Sequence, residues 1–299
     1  MFSYTMVSLS SILIFYLLGQ FSMTDINVVT NVSLINDNEL QNVAEELFSK
    51  SSHELYRHVT INYQGKTSLN NFSDNAPARI FNVSPEIFST PTTKSLIKLF
   101  DNYEVNTNHE EITTKEEKTE INDFINNLMA THVMLHTMHF LSGKGFFAND
   151  LKDFKEIIRN IWFHPYSRSK GINGSSGFEH VFLVEKKPRK GTLGLHNWIY
   201  FTIQESLNKL DYFGYSRNIE FNGKAAIAKI YFIYGKQRKM STIFIGTTPE
   251  LEIALYTLCF FTRPNKKCKV SFTGINFSVQ TYIMKSDGKE LIAAAYPIL

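Results

Sequence analysis

A mixed α+β fold, with helices first and strands second, is what this 299-residue sequence predicts. Three observations predict it. Helix-like segments with capping signals run to about residue 163. From Gly177 onward, short apolar runs alternate with turns. Charge changes over the same boundary: residues 101–150 carry nine acidic and three basic side chains, and residues 151–200 carry four and nine. Composition sets the outer limits. Hydrophobic residues make up 43%, enough for a sizeable core and too many for wholesale disorder. The net charge of +3 is too mild to announce a nucleic-acid binder and does not exclude one. Beyond the N-terminus no run of 18 apolar residues occurs, which excludes a polytopic membrane protein.

The elements follow in order. No charged residue precedes Asp25, and 6–18 is mostly apolar, followed by Gly19, Gln20 and Ser22. That is the length of a secretory h-region, although no basic residue precedes it. Residues 1–22 therefore read as a cleaved signal peptide, against an uncleaved anchor or a buried strand. A secreted mature chain is expected, with no stable membrane association. Residues 24–150 form the helix-rich half and 151–299 the strand-rich half. Within the first, 38–49 reads as a helix, 59–65 as a strand, 66–93 as loop and 95–103 as a helix. Thr113 or Thr114 can cap a long helix that ends near Leu141, before Gly143 and Gly145. An amphipathic helix follows over 150–163. The second half supplies strands in FEHVFLVE, HNWIYFTIQ, AIAKIYFIYG, STIFIG, VSFTG and FSVQTYIM, interrupted by one helix over 249–261.

Secretion fits two further features. N-x-S sequons stand at Asn31, Asn71, Asn82, Asn173 and Asn276. Cys259 and Cys268 flank Arg263-Pro264-Asn265, which in an oxidising compartment reads as one disulfide closing a short loop; two buried thiols are the alternative.

Histidines carry the chemistry. His132, His136 and His139 share one helical face, a spacing that can bind metal, but no HExxH pattern occurs and packed, hydrogen-bonded rings fit better. His180 and His196 flank the basic turn KKPRKGTLG. A hairpin pairing them is centred on Pro188 and brings the rings to one small site, with His180, Phe182 and Val184 on one strand face and Glu179, Val181, Leu183 and Glu185 on the other. Two imidazoles at one site suit acid–base catalysis. RNA brings its own nucleophile, the 2′-hydroxyl, and needs only a base, an acid and a cation. On spacing alone, two structural histidines remain the commoner case.

The strings are more specific than the spacing. SSGFEHVFLVE followed by GLHNWIYF, with DFKEIIRNIWFHPYSR, IFIGTTPELEIALYTLCFFTRPNKKC, VQTYIM and the ending IAAAYPIL, resembles the EndoU (XendoU-like) endoribonuclease family across roughly 24–299. The resemblance implies an α+β fold whose antiparallel strands carry the site. It implies cleavage of RNA after uridines to leave a 2′,3′-cyclic phosphate, commonly with manganese. By that likeness His180 and His196 are the catalytic histidines. Glu179 and Glu185 match important acidic positions, and Thr281 a position near the uridine site. The family's lysine falls in YGKQRKMSTIFIG, where Lys239 is the candidate and Lys236 and Arg238 are rivals; Arg238 would keep the charge but not the shape. Leu183-Val184-Glu185 keeps the family's acid and loses a glycine. No residue cluster identifies a manganese site.

Single-stranded RNA is thus the expected partner, and DNA is not. The competing reading is a secreted, glycosylated RNA- or protein-binding relative with weak or lost catalysis. Lys186, Lys187, Arg189 and Lys190, with the RPNKKCK loop, can guide phosphates or be a solvated surface. Trp198 and Tyr200 can stack on a base, though core packing suits Trp198 better.

Overall fold

The computed structural model of the protein describes residues 35–168, 171–187 and 191–299. The signal segment, the sequon at Asn31, and Arg189 and Lys190 lie outside the described residues. Asn36 caps α1 (Asp37–Lys50) by accepting from the Glu39 amide, and Leu40, Val43, Ala44, Leu47 and Phe48 form its buried stripe. A single turn, α2 (Glu54–Arg57), leads to β1 (Val59–Ile61), which pairs antiparallel with β2 (Phe81–Val83). The polar stretch 66–93 therefore holds a strand. It also holds the start of α3 (Pro91–Lys98), where Thr90 caps and proline takes the first turn.

Thr114 and Glu117 close a capping box over α4 (Lys115–Met129). The expected long helix is in fact two. The chain breaks at Ala130, and Thr131 recaps α5 (His132–Gly143) by accepting from the Met134 amide. Asp150 caps α6 (Leu151–Phe163).

The second half opens with α7 (Gly177–Phe182), then the hairpin of β3 (Val184–Lys187) and β4 (Gly191–Gly194), then α8 (Trp198–Ser206). Two runs expected to be strands, FEHVF and WIYFTIQ, are thus helical. Strands β5 (Leu210–Glu220), β6 (Ala226–Tyr234) and β7 (Gln237–Ile245) form an antiparallel sheet in that order. Helix α9 (Pro249–Thr262) follows. Then β8 (Lys267–Phe272), β9 (Ile275–Ser286) and β10 (Lys289–Ile298) form a second antiparallel sheet with β9 central. Strands β5 and β10 were not among the expected ones.

One cluster of buried apolar side chains runs from Ile35 to Ala295 and joins both halves. Helix α9 is buried from Pro249 through Phe260, as a helix apolar on every side must be. Cys259 on it is bonded to Cys268 on β8, with Cα atoms 5.6 Å apart. Further along the same face of β8, Phe48 of α1 stacks on Phe272 at 4.2 Å. The asparagines of the described sequons, Asn71, Asn82, Asn173 and Asn276, are all exposed. Among the described residues, no helix is long and apolar enough to cross a membrane.

Candidate active site

The two histidines meet, but not across a hairpin. The β3–β4 hairpin pairs Val184 with Gly194 and Lys187 with Gly191, so both histidines lie outside it. His180 is on α7, which Ser176 caps by accepting from the Glu179 amide. A helix does not alternate its faces, so the expected strand face of Glu179, Val181, Leu183 and Glu185 does not exist. Gly177 lets α7 lie against β10: a Cβ there would stand 2.7 Å from the Ile292 carbonyl oxygen.

His196 reaches the site through a tight turn. Gly194 and Leu195 both have positive φ, at +76° and +69°. Any side chain at Gly194 would collide with the His180 carbonyl. The His196 amide donates to the Val181 carbonyl at 2.8 Å, and Asn197 caps α8 immediately after. The imidazole centroids end 6.0 Å apart.

Different partners stand behind the two rings. His180 Nδ1 lies 2.7 Å from Glu185 Oε2, a carboxylate acceptor. Glu185 is fully buried and also accepts from Arg168 Nε at 3.0 Å and from the Ser175 hydroxyl. Arg168 is fixed in turn by the Tyr166 hydroxyl and the Ala293 carbonyl. His196 Nδ1 lies 3.2 Å from the Thr242 carbonyl and 2.9 Å from Ser241 Oγ, whose own proton goes to the Leu195 carbonyl at 2.7 Å. A carbonyl only accepts, so His196 carries its proton on Nδ1 and leaves the Nε2 lone pair free. The Tyr296 ring stacks on His196 at 4.8 Å.

Burial pushes both imidazoles toward the neutral form. His196 is driven down to about 3, by burial first and by His180 second. His180 is lowered by burial and by Arg168, with Glu185 acting against both. Burial opposes ionisation of Glu185 too. The His180 hydrogen bond, followed by the charges of His180 and Arg168, outweighs it and holds the carboxyl below its usual range. Glu179 goes the other way: burial, then the neighbouring Glu185 charge, raises it well above the usual carboxylate value.

Lys239 sits on β7 two residues before Ser241, so both side chains leave the same strand face, toward His196. Its charge is felt at His180, burial lowers its pKa, and among the described residues no carboxylate pairs with it. Arg238 points to the other face and lies over the Phe72 ring at 5.1 Å. Lys236 is exposed in the turn before β7.

Other candidates fall elsewhere. Thr281 is fully buried on β9 with its hydroxyl unpaired, and Glu179 is fully buried with neither oxygen hydrogen-bonded. Neither these two nor Glu185 presents a surface to a ligand; all three lie beneath the site. Trp198 is core, donating to the Thr247 carbonyl at 2.9 Å, and Tyr200 is buried beside it. His132, His136 and His139 are not packed inside. They line a surface groove, where His136 pairs with Glu46 at 2.7 Å and His139 with Asn149 at 2.9 Å. Arg168, Ser175, Ser241 and Tyr296 were missed, because nothing local in the sequence marks a long-range hydrogen-bond or stacking partner.

The residues present do not fit a manganese ion. Among the described residues no three histidine, cysteine or acidic side chains come close enough to share a metal. The carboxylate nearest the histidines, Glu185, already spends its oxygens on His180, Arg168 and Ser175.

Comparison with known proteins gives one answer. Residues 39–297 match the family model described as "Endoribonuclease XendoU". The chain is 35% identical over 243 residues to the "Uridylate-specific endoribonuclease EndoU" of Drosophila melanogaster, covering 79% of this chain and 75% of that one. It is 33% identical to the mouse "Uridylate-specific endoribonuclease", covering 88% of this chain and 66% of that one. A solved structure, titled "The structure of XendoU: a splicing independent snoRNA processing endoribonuclease", superposes with a TM-score of 0.73 at 29% identity. That match covers 89% of this chain and 98% of the other.

Proposed function

This chain belongs to the XendoU endoribonuclease family, and from that premise we propose that it is a uridylate-specific endoribonuclease whose acid–base pair is His180 and His196. The observation that carries the assignment is the difference between the partners behind the two rings. His196, with Nδ1–H committed to Thr242 and Ser241, offers Nε2 to the ribose 2′-hydroxyl and removes its proton. The 2′-oxygen forms a bond to phosphorus as the bond to the 5′-oxygen breaks. His180, backed by the Glu185 carboxylate, supplies the proton to that departing oxygen. Lys239 carries the positive charge that offsets the non-bridging oxygens. The products are a 2′,3′-cyclic phosphate and a free 5′-hydroxyl. Glu185 acts through His180, and Thr281 and Glu179 support the site from beneath. No step is routed through a metal. Where manganese stimulates the enzyme, it acts on RNA binding or local ordering.

The substrate is single-stranded RNA, since a 2′-hydroxyl must be free to swing in line with its phosphate. Secretion is part of the same proposal, supported by the apolar N-terminus, the Cys259–Cys268 disulfide and the exposed sequon asparagines. Product analysis tests the chemistry. A short RNA with one uridine, incubated with and without manganese, yields a cyclic phosphate end; a 5′-phosphate product means that water was the nucleophile and the scheme is wrong. Binding without cleavage supports the competing reading of a non-catalytic relative.

A further inference from the structure

A groove of about 860 Å³ opens between the β3–β4 hairpin and the β6–β7 turn, outside the machinery described above. Its framework is built from hydrogen bonds between distant segments. The Gln237 side-chain oxygen accepts from the Thr192 amide at 2.5 Å, and Gly191 has no Cβ because Gln237 fills that space. The Lys186 amide donates to the Val105 carbonyl at 2.6 Å, and Thr107 returns a bond to the Lys186 carbonyl at 3.1 Å. Segment 105–107 thereby becomes the outer wall alongside β3.

The hairpin wall carries Lys186 with Asn106 bridged beside it, and the opposite wall carries Tyr234 at the end of β6 and Lys236 in the turn that follows. Both lysines are exposed and, among the described residues, without an acidic partner. The one carboxylate lining the groove, Glu104, is occupied within its own turn by the Asn106 amide at 2.8 Å and by His109 at 3.3 Å. Position ties the groove to the cleavage centre. Gln237, which lines the groove, leaves the same face of β7 as Lys239, two residues further on.

We infer that this groove is a subsite for single-stranded RNA flanking the cleaved linkage, with the backbone phosphates along Lys186 and Lys236 and a base between Asn106 and Tyr234. Lysines hold phosphates without reading sequence, while an amide and an aromatic face accept most bases. The subsite therefore adds affinity for longer RNA and leaves the choice of cleaved base to the catalytic centre. This inference rests on the proposed ribonuclease function, so its test is a binding measurement that needs no turnover.

The full chain carrying His196→Ala is titrated with a dinucleotide and with a twelve-nucleotide RNA, each holding one uridine. Adding Lys186→Ala and Lys236→Ala should weaken the longer RNA about tenfold, leave the dinucleotide unchanged, and lower the salt dependence of binding by about 1.4 logarithmic units per decade. Arginine at both positions should restore the longer RNA. Equal loss for both RNAs would place the lysines at the cleavage centre, and no loss for either would make them solvated surface; each result overturns the subsite. If the unmutated chain cleaves nothing, the proposed function fails while this titration still decides the groove.

Discussion

His180 and His196 are the same residue type in one cleft, and what stands behind each ring separates them. Behind His180 is a buried carboxylate anchored by Arg168 and Ser175. Behind His196 are a carbonyl and a hydroxyl, with Tyr296 over the ring face. A carboxylate supports an imidazolium; a carbonyl fixes a tautomer and supports a neutral ring. In the proposed scheme the second partner, not spacing or exposure, therefore distinguishes acid from base.

The sharpest way to break this comparison is to remove each ring. His180→Ala and His196→Ala should each lower kcat/KM about 10²–10⁴-fold with an unchanged melting profile, and the double variant should fall little further. Near-normal cleavage in either single variant ends the assignment. Next comes the cation on the neighbouring strand, Lys239. Lys239→Ala should cost about 10²-fold in kcat while RNA affinity holds, and Arg238→Ala, on the other strand face, should stay within about threefold. The opposite order moves the catalytic cation to Arg238.

The pH profile of kcat/KM sharpens the asymmetry. His196 is neutral above about 3, so the base is available throughout the neutral range. His180 has a lowered pKa, so its acid form is lost as pH rises, and activity should fall from below pH 6.5 upward. Glu185→Gln removes the group that sustains the imidazolium. It should shift that falling limb to lower pH and cost about tenfold at pH 7, whereas Ser241→Ala should leave the limb in place. Equal shifts in both variants would mean that the partners do not distinguish the rings.

The smallest expected effect lies behind the His196 turn. Burial pushes Glu252 up to about 8, where it meets Thr247 at 2.6 Å and Asn197, the cap of α8, at 3.3 Å. Its folded pKa lies above its ordinary 4.5. Its stabilising contribution is therefore complete below about 4.5 and is lost as pH rises through about 8. Glu252→Gln keeps the size of the neutral acid and should preserve activity at pH 7 while flattening the fall in Tm between pH 5 and about 9. An unaltered Tm profile would show that Glu252 is not the titrating group.

The fold class, the cap at Thr114, the helices over α6 and α9 and the meeting of two histidines were all legible in the sequence. The local geometry around those histidines was not. Short apolar runs such as FEHVF and WIYF do not distinguish a strand from a buried helix by periodicity. One signal was available: Ser176-Gly177-Phe178-Glu179 places an acid three residues after a serine cap, as Thr114 and Glu117 do. The turn that delivers His196 was out of reach, because Leu195 adopts a left-handed conformation that its side chain does not advertise. The split at Ala130 was hidden by apolar residues continuing across it. The burial of Thr281 was not legible either, because a sequence motif carries no information about depth.

Helix α1 and strand β8 have a consequence for how the protein is made. The Thr273 amide donates to Glu45 at 2.7 Å across a separation of 228 residues, in the same region where Phe48 rests on Phe272. During synthesis α1 emerges among the first described residues, and the side that carries Phe48 waits uncovered until nearly the whole chain has followed. Closing so long a loop makes the last step of folding slow, and it leaves an apolar helix open to wrong partners in the interval. The bond between Cys259 and Cys268, nine residues apart, links α9 to the start of β8 and so helps complete the surface that α1 finally covers.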